Sequence, residues 1–212
     1  SKNLLTPKLS FRFNPSDMKN YTTSERTIDA HNAFAINRLG LSDTLESGRS
    51  LTLGLDFKKE RKNNLEKINN YFEFKVATVI RDKDEKLIPN KSTINKQNSN
   101  LFGSITNKLS ENVKIGYNFS LDNDFNTLEY NDINTTFSIN NVVTKFNFIE
   151  ENGERGDSNI LASSLSYKLD NNNFLSFETR RNRKLNLTEF YDLVYEYKND
   201  CLTAGIKYKK TY

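Results

Sequence analysis

The stretch Val113-Lys114-Ile115-Gly116-Tyr117-Asn118-Phe119-Ser120-Leu121 decides the fold. Apolar or aromatic side chains fill every odd position, and Lys, Gly, Asn and Ser fill every even one. A period of two puts the two sets on opposite faces of an extended strand, whereas a helix would scatter them round its axis. The same rule holds on both sides of it. Leu9, Phe11 and Phe13 alternate with Lys8, Ser10 and Arg12; Leu51, Leu53, Leu55 and Phe57 alternate with Thr52, Gly54 and Asp56. Phe72, Phe74, Val76, Thr78 and Ile80 form one face of a strand, as do Ile133, Thr135, Phe137 and Ile139. Leu161, Ser163, Leu165, Tyr167 and Leu169 form another, followed by Leu193, Tyr195 and Tyr197 and by Leu202, Ala204, Ile206 and Tyr208. Residues 28–37 and 101–109 follow the rule less cleanly. With 142–149 and 174–183 they bring the expectation to about twelve strands. The one helix-like window, residues 58–70, has only Leu65 and Ile68 as apolar residues and is expected to be a polar connector.

The connections carry a second pattern. From residue 101 onward they alternate: short at 110–112, longer at 122–127, short at 140–141, long at 150–158, short at 170–172, longer at 183–187, short at 199–200. Asn140-Asn141 suits a two-residue hairpin, since Asn tolerates positive φ. Short turns at one end of a meander and longer loops at the other are the pattern of outer-membrane barrels. Greek-key connections of a soluble sandwich would not alternate in this way, and a soluble core would need a second apolar sheet. The apolar face also carries Tyr117, Tyr195, Tyr197 and Tyr208, expected near strand ends where aromatics meet a membrane interface.

Composition agrees with a barrel wall. Of 212 residues only 35% are hydrophobic and 27% are charged, with a mean hydropathy of −0.73. No apolar run is long enough for a membrane helix, but a spanning strand needs only about 9–11 residues with every second one apolar. Asn is abundant, yet 15 Phe and 10 Tyr argue against disorder. A net charge of +4, from 31 basic and 27 acidic residues, is too balanced to indicate nucleic acid. Both ends run into strand-like sequence, so the chain is expected to be a single region, residues 1–212, of a longer protein, a partial C-terminal barrel domain. Backbone groups in lipid must all be paired, so these strands are expected to belong to a larger closed barrel. The single Cys201 is either a buried thiol or half of a bridge to a partner outside this piece.

Three stretches resemble the LptD family of lipopolysaccharide-assembly outer-membrane proteins, in its C-terminal barrel region. Residues 5–11, LTPKLSF, with Asn14-Pro15-Ser16-Asp17, are similar to a strand and its following turn. Residues 33–40, AFAINRLG, with Asp43, Glu46-Ser47-Gly48 and Leu51-Thr52-Leu53-Gly54-Leu55, are the most specific; the family-like core is Asn37, Arg38, Leu39, Gly40, Asp43 and Gly48. Leu39 stands where an aromatic is more usual. Residues 191–197, YDLVYEY, leading through Asp200-Cys201 into the next strand, resemble a late strand pair with Cys at the turn; many members have two adjacent Cys there. The middle, residues 81–188, matches in rhythm rather than motif.

The resemblance implies a very large barrel of about 26 strands that inserts lipopolysaccharide into the outer leaflet through a lateral gap. It implies a plug lipoprotein, LptE, inside, and an N-terminal periplasmic domain that receives lipid from a protein bridge. It also implies that Cys201 bonds that N-terminal domain. The rivals are a passive porin or autotransporter-type barrel, which shares all the periodicity, and a soluble all-β binding module.

Other residues add little chemistry. Arg180, Arg181, Arg183 and Lys184 form a basic run entering an expected outer loop, either a solvated loop or a contact to lipopolysaccharide phosphate. His31 is alone, so no enzyme is expected: Ser, Asn and Asp are too abundant for pairing with it to be specific. One His and one Cys far apart give no metal-ligand spacing, and no nucleotide or cofactor motif is present.

Overall fold

The computed structural model describes residues 2–62 and 68–212. Their strands form a single sheet in the order of sequence, every neighbouring pair antiparallel. They are β1 (Lys2–Asn14), β2 (Gly48–Lys62), β3 (Ile68–Arg81), β4 (Leu101–Lys108), β5 (Val113–Leu121), β6 (Leu128–Ile139), β7 (Val142–Glu151), β8 (Ser158–Lys168), β9 (Asn173–Asn182), β10 (Leu187–Lys198) and β11 (Thr203–Thr211). The meander is all-β, as the alternation requires. It has eleven strands rather than twelve, with β1 and β11 at its two edges.

The twelfth expected strand, residues 28–37, is a chain of turns. Side chains there offer the backbone a better alternative than a ladder. Asp29 Oδ1 accepts the amides of His31 and Asn32, both at 2.8 Å, and Asn32 Oδ1 accepts the amide of Asp29 at 2.9 Å. The Ala33 amide then donates to Asp29 O at 3.0 Å. The expected polar connector at 58–70 is largely strand instead, because Glu60 pairs with Tyr71 and Arg61 with Asn70; residues 63–67 lie outside those described. Tyr117 is also not near a strand end. It occupies the centre of β5, where its hydroxyl donates to Asn131 Oδ1 at 2.8 Å.

Register aligns the alternations into two continuous faces. Leu53 pairs with Leu9 and Thr78, Tyr117 with Ile105 and Ile133, Leu165 with Thr144 and Phe177, and Tyr195 with Leu175 and Ile206. This face is bare: Leu165, Phe146 and Leu193 remain 38%, 45% and 42% exposed although their strands are interior to the sheet. The opposite face is partly covered. Residues 15–47, between β1 and β2, and 82–100, between β3 and β4, fold over it. They bring Met18, Ile28, Ala30, Ala33, Leu39, Leu41, Ile88 and Ile94 against Ala77 and Val79 of β3 and Phe102 of β4. The largest buried apolar cluster of the described residues therefore lies under loops, on the polar side of the sheet.

Phe102 is wholly buried in that cluster. Phe102→Ala should cost about 3–5 kcal/mol and lower the temperature at which the folded, fast-migrating gel band of the full-length protein disappears. Truncating bare-face Leu165 to Ala should shift that temperature far less. Equal shifts would contradict this two-sided packing.

Candidate functional site

The site is the covered face where residues 15–47 meet β1, β2 and β3. Inward positions near the long-loop end of these strands are Arg12, Ser50, Thr52 and Arg81, brought side by side by the register Arg12–Ser50 and Ser50–Arg81. Arg38 comes down on them from the loop and is 1% exposed. Its guanidinium grips Glu46 with both edges, Nε to Oε2 at 2.6 Å and NH2 to Oε1 at 2.5 Å. It also donates to Thr52 Oγ1 at 2.9 Å, to Ser50 Oγ at 3.1 Å and to the Ala33 carbonyl at 3.2 Å. Arg81 approaches the same carboxylate and the carbonyl of Ser47. Arg12 holds the loop from below, donating to Ile36 O at 2.7 Å and Ala35 O at 2.5 Å.

One buried carboxylate thus compensates two buried guanidiniums. Burial alone would push the Glu46 carboxyl up. The hydrogen bond from Arg38 and the charges of Arg38, Arg81 and Arg12 outweigh it and hold the group below the ordinary carboxylate value. The cluster ties the loop to three strands by charge-assisted bonds, which are short and strong when dehydrated.

The family-like residues build this joint. Asn37 folds the loop on itself, its Nδ2 donating to Leu41 O at 2.7 Å and its Oδ1 accepting the Leu41 amide at 3.1 Å. Gly40 closes that turn at φ +66°, a left-handed value that side chains disfavour. Leu39 is buried in the apolar cluster. Asp43 lies at the surface, 2.7 Å from Lys19 Nζ, and Gly48 starts β2 opposite Asn14. Gly54 of β2 supplies the close approach: a Cβ there would lie 2.6 Å from the Phe34 ring.

The covering extends sideways. Arg155, between β7 and β8, donates to the Ile28 carbonyl at 2.7 Å and stacks over the Tyr130 ring at 5.0 Å. Asn100 donates to Ser120 Oγ at 3.0 Å and to Glu129 Oε2 at 2.6 Å. Loops separated by five strand spacings, roughly 24 Å across a sheet, are joined over one face. His31 belongs to this layer and meets Ser104 Oγ at 3.1 Å.

The remaining sequence candidates lie elsewhere and do not converge with the cluster. Cys201 is exposed in the turn 199–202, its amide donating to Asn199 Oδ1 at 3.0 Å, and it is in no disulfide among the described residues. Arg180 pairs with Glu189 at 2.8 Å, Arg181 donates to Asn186 Oδ1 at 2.5 Å, Arg183 lies 5.6 Å over the Phe148 ring, and Lys184 pairs with Asp157. Among the described residues, no cluster of His, Cys, Asp and Glu could hold a metal ion, and no helix is long and apolar enough to cross a membrane. Sequence reasoning gave no role to Glu46, Arg81 or Arg12. The signal was available: Arg12 and Arg81 stand at inward positions just before the two longest loops.

A family model described as LptD, LPS transport system D, matches residues 1–172. No curated protein matches the chain. Similar solved structures include a triple mutant of the Rhodopseudomonas blastica porin, at 11% identity and a TM-score of 0.42, covering 82% of this chain and 78% of that one. A second mutant of the same porin matches at 12% identity and 0.42, over 81% and 78%.

Because its pKa is depressed in the fold, Glu46 contributes stability that is complete above the unfolded carboxylate range near pH ~4.3 and is lost as pH falls through the folded value. Glu46→Gln leaves two buried cations uncompensated and should cost about 3–5 kcal/mol. In limited proteolysis of the full-length protein, residues 15–47 should be protected at neutral pH, and cleaved in the variant or after acidification. The exposed Arg49→Gln should change nothing; a Glu46→Gln protein with intact protection would contradict the joint.

Proposed function

The chain belongs to the LptD family, LPS transport system D, and from that membership we propose that it forms one wall of a barrel that inserts lipopolysaccharide into the outer leaflet through a lateral gap. It is an outer-membrane β-barrel region of a lipopolysaccharide-transport protein. The observation that carries the reading is the bare apolar face running across all eleven strands of a strict meander. In water such a face would be covered or would aggregate; in a bilayer it meets hydrocarbon. Ten of the eleven strands are nine to fifteen residues long, the length that reaches across it, and β4 has eight.

The covered face is then the lumen side. Residues 15–47 and 82–100, at the long-loop end, fold inward and narrow the interior beside β2 to β4. The apolar side chains of these loops are already packed against β3 and β4, and the joint beside them is ion-paired, so the covered face offers acyl chains no open path, which favours a sideways exit over a straight pore. The periplasmic bridge would deliver lipid through an N-terminal domain.

At the opposite end, near the short turns, the inner face of β7 to β10 stays open. Val143, Phe174 and Val194 line a shallow groove there with Lys168 and Glu196. Ser166 and Ser176 lie between the two valines in the register, and such a mixed apolar and polar groove on a lumen face suits a protein plug, an LptE-like lipoprotein being the proposed occupant. Cys201 sits at the same short-turn end, in the oxidising periplasm, where a bridge to the N-terminal domain would anchor the barrel to its feeding arm.

Full-length protein extracted from outer membranes should bring a lipoprotein with it, and Val194→Asp should reduce that recovery about tenfold or more, the scale of burying an unpaired charge. Barrel recovered alone from the unaltered protein would point to a passive porin. On non-reducing gels the full-length protein should migrate differently from its reduced form, and Cys201→Ser should abolish the difference; unchanged mobility would contradict the anchor.

A further inference from the structure

The bare wall carries two cations that the transport reading does not use. Side chains alternate across β9, so neighbours in the basic run face opposite ways. Arg180 pairs in the ladder with Ala162 on the covered face, and its Nε lies 2.8 Å from Glu189. Arg181 pairs with Leu161, which in turn pairs with Phe148, all on the bare face. Just past β9 the Arg183 amide donates to Asn159 O at 2.8 Å, and its guanidinium lies 5.6 Å over that same Phe148 ring.

Both side chains are exposed, and they sit where the wall changes character. Toward the short turns the bare face continues through Phe146, Leu165 and Phe177. Toward the long loops the next bare-face positions of β6, β7 and β8 are Asn131, Glu150 and Asn159. There Asn131 and Asn159 donate to Glu150 at 3.3 and 3.0 Å, so the one nearby carboxylate is occupied within its own network. The loop's ion pairs use Arg180 and Lys184, the latter with Asp157. Among the described residues Arg181 and Arg183 make no ion pair; Arg181 donates only to the neutral Asn186.

We propose that Arg181 and Arg183 bind the phosphate of an outer-leaflet lipid whose chains lie along Leu161, Leu165 and Phe177. Two planar guanidiniums at the apolar–polar boundary match a phosphate at headgroup depth, because each can offer a fork of N–H donors to its oxygens. Phe148 holds one guanidinium against the wall by cation–π contact. Arg180 and Lys184 are excluded, the first by direction and the second by its carboxylate partner. The site lies on the outside of the wall. It rests on the membrane-barrel reading but not on the route that transported lipid takes.

The test is native mass spectrometry of the full-length protein in detergent, which needs no working transport machinery. It is titrated with bis-phosphorylated lipid A, with the same lipid stripped of phosphate, and with inorganic phosphate. On the unaltered protein the phosphorylated lipid should bind about tenfold or more tightly than the stripped one, as loss of charge-assisted bonds implies. Inorganic phosphate at equal concentration should not displace it. The double variant R181Q and R183Q should lose binding by a similar factor, while R180Q should stay close to the unaltered protein. Equal binding of the two lipids, displacement by free phosphate, or full binding by the double variant would each overturn the site. The two-lipid comparison uses no variant, so a misfolded variant does not protect the proposal.

Discussion

A backbone surrounded by hydrocarbon must pair every amide and carbonyl, and everything else in this structure follows from that demand. It permits only a sheet whose strands hydrogen-bond neighbour to neighbour and finally close. The eleven-strand meander pairs each strand with its sequence neighbours, and β1 and β11 are its two edges. The period-two composition follows too. One face must suit lipid and the other water, so an average hydropathy far below that of a membrane helix is compatible with spanning.

Because the lipid side takes up most of the strand apolar residues, the protein assembles its core in an unusual place. Residues 15–47 and 82–100 fold onto the lumen side and bury Ile28, Ala33, Ile88 and Ile94 against Ala77, Val79 and Phe102. A loop over a polar sheet face cannot be held by hydrophobic contact alone. Arg12, Arg38 and Arg81 supply directional anchorage, with Glu46 neutralising part of their charge. A buried pair of this kind contributes little net stability against an apolar alternative but penalises any misplacement strongly. It therefore serves to fix where the loop lies.

The wall was legible in the sequence and the lumen was not. Alternation at Leu51 to Phe57, Val113 to Leu121 and Leu161 to Leu169 showed strands and facing, because period two is a local property of the chain, whereas the register partners needed the structure. Alternating turn lengths gave the two ends. Residues 28–37 misled, since Ile28, Ala30 and Ala33 are apolar for contact with Ile88 and Ile94, while Asp29 and Asn32 wind the backbone into turns. The resemblance carried by Asn37, Arg38 and Gly40 pointed at the right segment without its physical role, which appears only when Glu46, Ser50, Thr52 and Arg81 arrive from other parts of the chain. The basic run shows the same limit: four cations within five residues read alike in sequence, yet alternation turns Arg180 inward and Arg181 outward.

The most direct measurement is a nitroxide scan along β8 and β10 of the full-length protein in bilayers, comparing collisions with lipid-soluble oxygen and a water-soluble nickel chelate. Labels at Leu161, Leu165, Leu193 and Tyr195 should favour oxygen, and those at Ala162, Ser164, Asp192 and Val194 the chelate, alternating residue by residue. Accessibility that does not alternate, or that alternates in the opposite phase, would contradict the assignment of the bare face to lipid.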